Sequence, residues 1–347
     1  MKLRKNALAG IALAATAALG LAACGSNSGA PAASESASGE GITVYNAQHE
    51  SLTKEWIDAF TKETGIKVTL RQGSDTEMSN QIIQEGAASP ADVFLTENSP
   101  AMAQVENAGL FADVDKATVD QVPAEFRPST NKWTGIAARS TVFVYDKNKI
   151  SEDKLPKSML DLANPEWKGK WAASPTGADF QAIVSALLEL KGEAATEEWL
   201  KGMKENFKAY KGNSTAMKAV NAGEVDGALI YHYYYYGDQA KTGENSKNVT
   251  PYYFKNQDPG AFLSVSGGGV LKSSKHAEDA QAFLKFITGK KGQEILKNGT
   301  SFEYAIASGV DANEKLVPIK ELQAPTVDPA KLNSTKVTDM MTKAGLL

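Results

Sequence analysis

From Ile42 onward the chain alternates short β-prone runs with amphipathic helical segments, and few folds bury both kinds of face in that order. Ile42-Thr43-Val44-Tyr45 reads as a first strand. Ser51 is placed as the N-cap of a helix on which Leu52, Trp56 and Phe60 recur every four residues, with Ile57 beside them. Gly65 stops that helix, and Ile66, Val68 and Leu70 alternate as a second strand. A helix from Glu77 to Glu85 leads into Ala91-Asp92-Val93-Phe94-Leu95, a third strand. Strands separated by helices pair in parallel, with helices covering the sheet. Such sheets bind ligands beyond the carboxyl ends of their strands. His49 and Glu97 both fall there.

A second α/β region follows. Ser140 to Asp146 reads as a strand, Lys168 to Ala172 begins another, Phe180 to Leu190 is a helix, and Gly227 to Ile230 is a strand of small and branched residues. Phe262 to Leu271 is a long strand with Gly267, Gly268 and Gly269 inside it. Helices at Ala277 to Thr288 and Lys291 to Lys297 precede an irregular stretch and a terminal helix. The 307 residues from Gly41 to Leu347 exceed what one core usually holds and suit two lobes. The expected division gives 41–138 and 264–310 to the first lobe, and 139–263 and 311–347 to the second. Two strands, near Arg139 and Phe262, cross between them and absorb the bending of a hinge.

Lys2, Arg4 and Lys5, then an apolar run from Ala7 to Ala23, describe a secretory signal. The run ends in Leu21-Ala22-Ala23-Cys24, which resembles the bacterial lipobox, so residues 1–23 are expected to be removed and Cys24 lipid-modified. Cys24 is the only cysteine, which excludes an internal disulfide. Residues 24–40 form a Ser-, Ala- and Gly-rich tether; its 16 residues from Gly25 to Glu40 span roughly 20–25 Å. The chain is thus expected on the outer face of the cytoplasmic membrane. Without the three basic signal residues the formal net charge moves from −4 to −7, and no basic block suggests nucleic acid. There is no Gly-x-Ser-x-Gly elbow and no His-Glu-x-x-His helix, and only three histidines occur, so an enzyme is not expected.

Tyr231-His232-Tyr233-Tyr234-Tyr235-Tyr236 is the most unusual run. Tyr235 and Tyr236 are expected to pack their rings. Paired phenols at a strand end have a second use, because phenolate is a hard anionic donor matched to a hard trivalent cation. A phenol ionises near neutral pH only beside a strong positive charge, which ferric iron supplies. His232 is the less favoured choice for a second nitrogen ligand, since adjacent strand residues point to opposite faces, and whether it or Tyr231 joins the coordination stays open.

At these residues the chain resembles the bacterial ferric-iron-binding proteins of ABC importers, the bacterial transferrins. Ile42 to His49 resembles the family's first strand and its ligand histidine, Pro90 to Glu97 the segment presenting its ligand glutamate, and Ala228 to Tyr234 its twin-tyrosine segment. Gln257 to Ala261 and Lys290 to Glu294 are further matching stretches. The resemblance implies a two-lobed type II periplasmic-binding-protein fold, each lobe a mixed sheet flanked by helices. It implies Fe(III) held by His49, Glu97, Tyr233 and Tyr234. A synergistic anion, carbonate or phosphate, would sit at Thr176, Gly177 and Ala178, with Asn213 and Arg139 as added donors. Asn98 and Tyr231 stand where the family often has amides, which leaves the anion's identity and presence open. The implied partners are an ABC permease with its ATPase subunit, served by a monomer. The rival reading is a carrier for an organic or oxyanion solute, such as a phosphonate, polyamine or thiamine-like compound, with the tyrosines as a stacking box.

Overall fold

The computed structural model describes residues 41–347, so the signal peptide, Cys24 and the tether lie outside the described residues. The chain opens with β1 (Ile42–Asn46), α1 (Glu50–Thr64), β2 (Val68–Gln72), α2 (Asp75–Glu85), β3 (Val93–Leu95) and α3 (Ser99–Asn107). β1 pairs in parallel with β2 from Ile42↔Val68 to Asn46↔Gln72, and with β3 from Val44↔Val93 to Asn46↔Leu95. Gly65 caps α1 in the left-handed conformation, as expected (φ 77°). The start of α1 is different: it begins at Glu50 with His49, not Ser51, at the N-cap. Gln48 Oε1 accepts the His49 backbone N–H at 2.7 Å, which turns the chain before serine can cap it.

After α4 (Lys116–Val119) comes β4 (Thr134–Asp146), a 13-residue strand buried throughout. The second region adds β5 (Trp171–Ala173), α5 (Ala178–Asn206), β6 (Phe207–Ala209), α6 (Asn213–Asn221), β7 (Gly227–Tyr231), α7 (His232–Lys241) and β8 (Val249–Tyr252). β9 (Leu263–Val270), α8 (Ala277–Thr288), α9 (Lys290–Asn298), α10 (Ile319–Leu322) and α11 (Ser334–Lys343) complete the chain. The expected helix at 180–190 is only the first part of α5, which continues past a kink at Gly192 (φ 80°) to bury Trp199, Leu200 and Met203. The tyrosine run also departs from expectation: β7 ends at Tyr231, and His232 starts a helix.

The strand order is β2-β1-β3-β9-β4-β7-β5-β6, with β8 also on β4, in a mixed α/β fold of two lobes. β4 changes partners along its length. Its first half lies antiparallel to β9 from Thr134↔Gly268 to Ser140↔Leu263, and its second half pairs with β7 from Thr141↔Tyr231 to Tyr145↔Gly227. β3 in turn pairs with β9, Leu95 opposite Gly268. β4 therefore runs through both groups of strands, with β9 as its partner in the first. A third segment joins them where Tyr304 exchanges both backbone hydrogen bonds with Ala138, at 2.8 and 3.0 Å.

Among the described residues the apolar interior forms four clusters, and the one around Trp171 and Phe180 also takes in Phe126, Val265, Phe302 and Tyr304. Trp56 and Phe60 meet Phe283 and Leu284 on one face of the first lobe, and Tyr45, Met78, Phe94, Met102 and Trp133 fill the other. In the second lobe Trp171, Phe180 and Trp199 pack with Met341, while Val142, Val220 and Ile230 line the opposite face. The tail follows both lobes: a turn at Pro329–Lys331 lies against α3, and α11 lies on α5 with Lys336 and Lys343 paired to Glu193 and Glu197.

The glycines of β9 allow this layering. A Cβ on Gly267 would stand 2.3 Å from Met102 Cγ and 3.0 Å from the Trp133 ring. Gly267→Val is expected to cost about 1–3 kcal/mol of stability through overpacking. A lower denaturation midpoint at unchanged slope would show it; a midpoint equal to the parent's would refute the tight layer.

Candidate metal site between the lobes

His49 follows β1 as the N-cap of α1, Glu97 follows β3, and Tyr233 and Tyr234 stand in the first turn of α7. The structure brings all four together. His49 Nδ1 is 3.3 Å from Glu97 Oε1, the His49 ring meets Tyr233 edge-on with centroids 5.0 Å apart, and the Tyr233 and Tyr234 centroids are 4.3 Å apart. The helix explains how neighbouring tyrosines serve one site. Consecutive strand residues face opposite ways, whereas consecutive helix residues differ by only about 100°.

Asp179, in the first turn of α5, is one of three acids the sequence reading missed. Its Oδ2 accepts from Tyr234 Oη at 2.9 Å, Tyr233 Oη at 3.2 Å and Asn213 Nδ2 at 2.8 Å, and its Oδ1 accepts from Asn98 Nδ2 at 2.9 Å. Asp75 supports the same wall. It accepts from the backbone N–H groups of Glu97 and Asn98 at 2.9 and 3.1 Å, and from Asn98 Nδ2 at 3.0 Å. An acid in a helix's first turn reads in sequence as ordinary dipole compensation; only convergence marks these two.

Of the residues expected to hold an anion, Thr176 is exposed, Gly177 is the N-cap of α5, and Ala178 is its first residue. The Gly177 N–H is spent on Ser174 O. Asn213 points its amide at Asp179, so a carboxylate of the chain occupies that neighbourhood. Arg139 is fully buried and pairs with Glu303, a third unforeseen acid. Tyr231 donates to Asn98 Oδ1 and to the Asp179 carbonyl. His232 Nδ1 accepts from the Ser140 backbone N–H, and its ring stacks on Tyr304. Tyr235 packs against the apolar core and Tyr236 bonds Tyr253, so neither forms a stacking box.

The electrostatics follow from crowded acids. Burial, then Asp179 and Glu97, hold the Tyr233 and Tyr234 phenols well above their ordinary pKa. Burial also raises Glu97, with Asp179 adding to it, and lowers His49, keeping the imidazole neutral. Among the described residues no three His, Cys, Asp or Glu side chains form a group that could hold a metal ion by themselves. A cavity of about 400 Å³ at His49, Tyr233 and Tyr234 opens the site to solvent past Ser214, Lys218 and Lys241. A larger cavity of about 580 Å³, beside Trp167 and Asp226, touches none of these residues.

The sequence pattern of the bacterial extracellular solute-binding proteins matches residues 88–331. The chain is 65% identical over its full length to the Fe(3+)-binding periplasmic protein of Serratia marcescens, covering all of that protein. It is 38% identical over 308 residues to the major ferric iron-binding protein of Neisseria meningitidis, covering 88% of this chain and 93% of that one. Iron-bound HitA from Pseudomonas aeruginosa superposes with a TM-score of 0.83 at 42% identity, over 88% of this chain and 99% of that chain.

Asp75 gives a measurable consequence. Burial raises its pKa from 3.8 to about 7 in the folded chain, so between those values the native state binds more protons than the unfolded one. Its contribution to stability is present below the lower value and is lost as pH rises through the upper. Asp75→Asn is expected to flatten that decline in denaturation series across the interval; an unchanged slope would contradict it.

Proposed function

The chain belongs to the bacterial extracellular solute-binding proteins, and we propose that it captures ferric iron between its lobes and passes it to an ABC permease. The observation that carries this is the meeting of His49, Glu97, Tyr233 and Tyr234 in one cleft, with the first two from one lobe and the tyrosines from the other. Three hard oxygen donors and one neutral imidazole suit a hard trivalent cation. Entry of Fe(III) would supply the charge that the crowded acids lack and make both phenols into phenolates.

In this reading Asp179 takes the place of a synergistic anion. It already holds the Asn213 amide and sits at the start of α5, where backbone N–H groups favour negative charge. The lobes, divided at 41–138 with 264–310 and at 139–263 with 311–347, would open by bending β4 and β9 and so release the metal. Anchoring through Cys24 to the outer face of the membrane, a monomeric carrier and an ATPase subunit behind the permease complete the proposal.

Titration of the protein with ferric citrate, followed by visible absorption, tests it. A saturable tyrosinate-to-iron charge-transfer band at one iron per protein is expected without added carbonate or phosphate. Tyr233→Phe with Tyr234→Phe should abolish the band in a folded protein. Asp179→Ala should make it depend on the added anion. A folded parent that gives no band would sink the ferric reading; a band that needs an anion in the parent would sink the role of Asp179 alone.

A further inference from the structure

Asn98 is the N-cap residue of α3, yet its side chain makes no bond to that helix. Asparagine at such a position usually caps its own helix. Here the amide is buried and turned across the cleft, with every hydrogen-bonding position used. Its Nδ2 donates to Asp75 Oδ2 at 3.0 Å and to Asp179 Oδ1 at 2.9 Å. Its Oδ1 accepts from Ser264 Oγ at 3.2 Å and from Tyr231 Oη at 3.4 Å. Two carboxyl groups at one end and two hydroxyl donors at the other fix which way the amide points. Asp179 also accepts from Tyr233 and Tyr234, so the bridge reaches both phenols through one carboxylate. The seam is tight on this side. Asp75, Asn98, Ala178 and Gln181 border a cavity of about 30 Å³, room for one or two waters, against about 400 Å³ at His49 and the tyrosines.

We propose that Asn98 is an interlobe clasp, a positioning residue that holds the second lobe and its tyrosines against the first without the help of a metal. The clasp rests on the lobe division and hinge proposed above, which put Asp75 and Asn98 in one lobe and Asp179 and Tyr231 in the other, and not on the identity of the cation. Hydrogen bonds to carboxylates are strengthened in a seam that water barely enters. Opening exchanges them for bonds to water, so the clasp adds to the stability of the closed form. A solute held only between closed lobes has its apparent affinity scaled by the fraction of protein that is closed. Asn98 thus governs how long a cation is retained through lobe position, and not as a ligand.

Small-angle X-ray scattering of the metal-free protein reads the first consequence. The expected result is a compact parent and a larger radius of gyration for Asn98→Ala, whose vacated space admits water to both carboxyl groups. Loaded with iron, Asn98→Ala should keep the tyrosinate band at the parent's wavelength but lose it to EDTA about 10–100-fold faster. Its uptake from ferric citrate should be no slower, which a merely damaged site would not allow. Tyr231→Phe removes one donor from the same amide and should move both readouts the same way by less; it serves where Asn98→Ala does not fold. A metal-free parent already as open as the variants overturns the clasp, and so do variants with the parent's scattering and release rate. A displaced band overturns it too, because Asn98 would then act through the ligand set. A parent that gives no band sinks the ferric reading, while the metal-free scattering still decides the clasp.

Discussion

Buried acids have to be answered by something, and in this protein the answer is incomplete. Among the described residues Arg139 is the only buried lysine or arginine, and it stands near Glu303, Glu97, Asp179 and Tyr233. Its guanidinium is committed to Glu303, so Asp179 and Asp75 rely on amide and phenol donors, while burial raises the Glu97 carboxyl. Hydrogen bonds of that kind satisfy lone pairs but do not neutralise charge. A cleft in this condition is held together by its lobes and improved by a cation.

The fold places that deficit at the seam. β4 leaves one set of neighbours for another between Ser140 and Thr141, and Arg139, Ser264 and Ser266 all lie beside the exchange. Residues that hold the site, such as Ser264 on Asn98 and Ser266 on Glu303, are therefore carried by the strands that would have to bend. In the proposed reading coordination and lobe position share one set of contacts, which is the physical condition for a carrier whose grip changes with its shape.

Much of this was legible in the sequence, and the gaps have definite causes. The alternation from Ile42 to Leu95 located β1 to β3, and the rule for strand ends put His49 and Glu97 at the cleft. The tyrosine run announced itself by composition, although its helical start was hidden because Tyr is favoured in strands. Asp179, Asp75 and Glu303 carried no local signal. Two sit in helix first turns where acids are commonplace, and Glu303 lies in an irregular stretch between Phe302 and Tyr304. Their importance comes from partners 22, 54 and 164 positions away, which periodicity does not register. The Ser51 cap failed for a related reason: a glutamine side chain captured the neighbouring amide first.

The pairing of β3 with β9 also sets an order of events. Val93 waits for Val270, and α5 waits for α11, near the last residue of the chain. Neither lobe can finish its sheet or its cover from contiguous chain alone, so closure entropy is met late and over long separations. The first three strands can pair with one another early, but the cleft they border is finished only when β9 comes back to lie against β3.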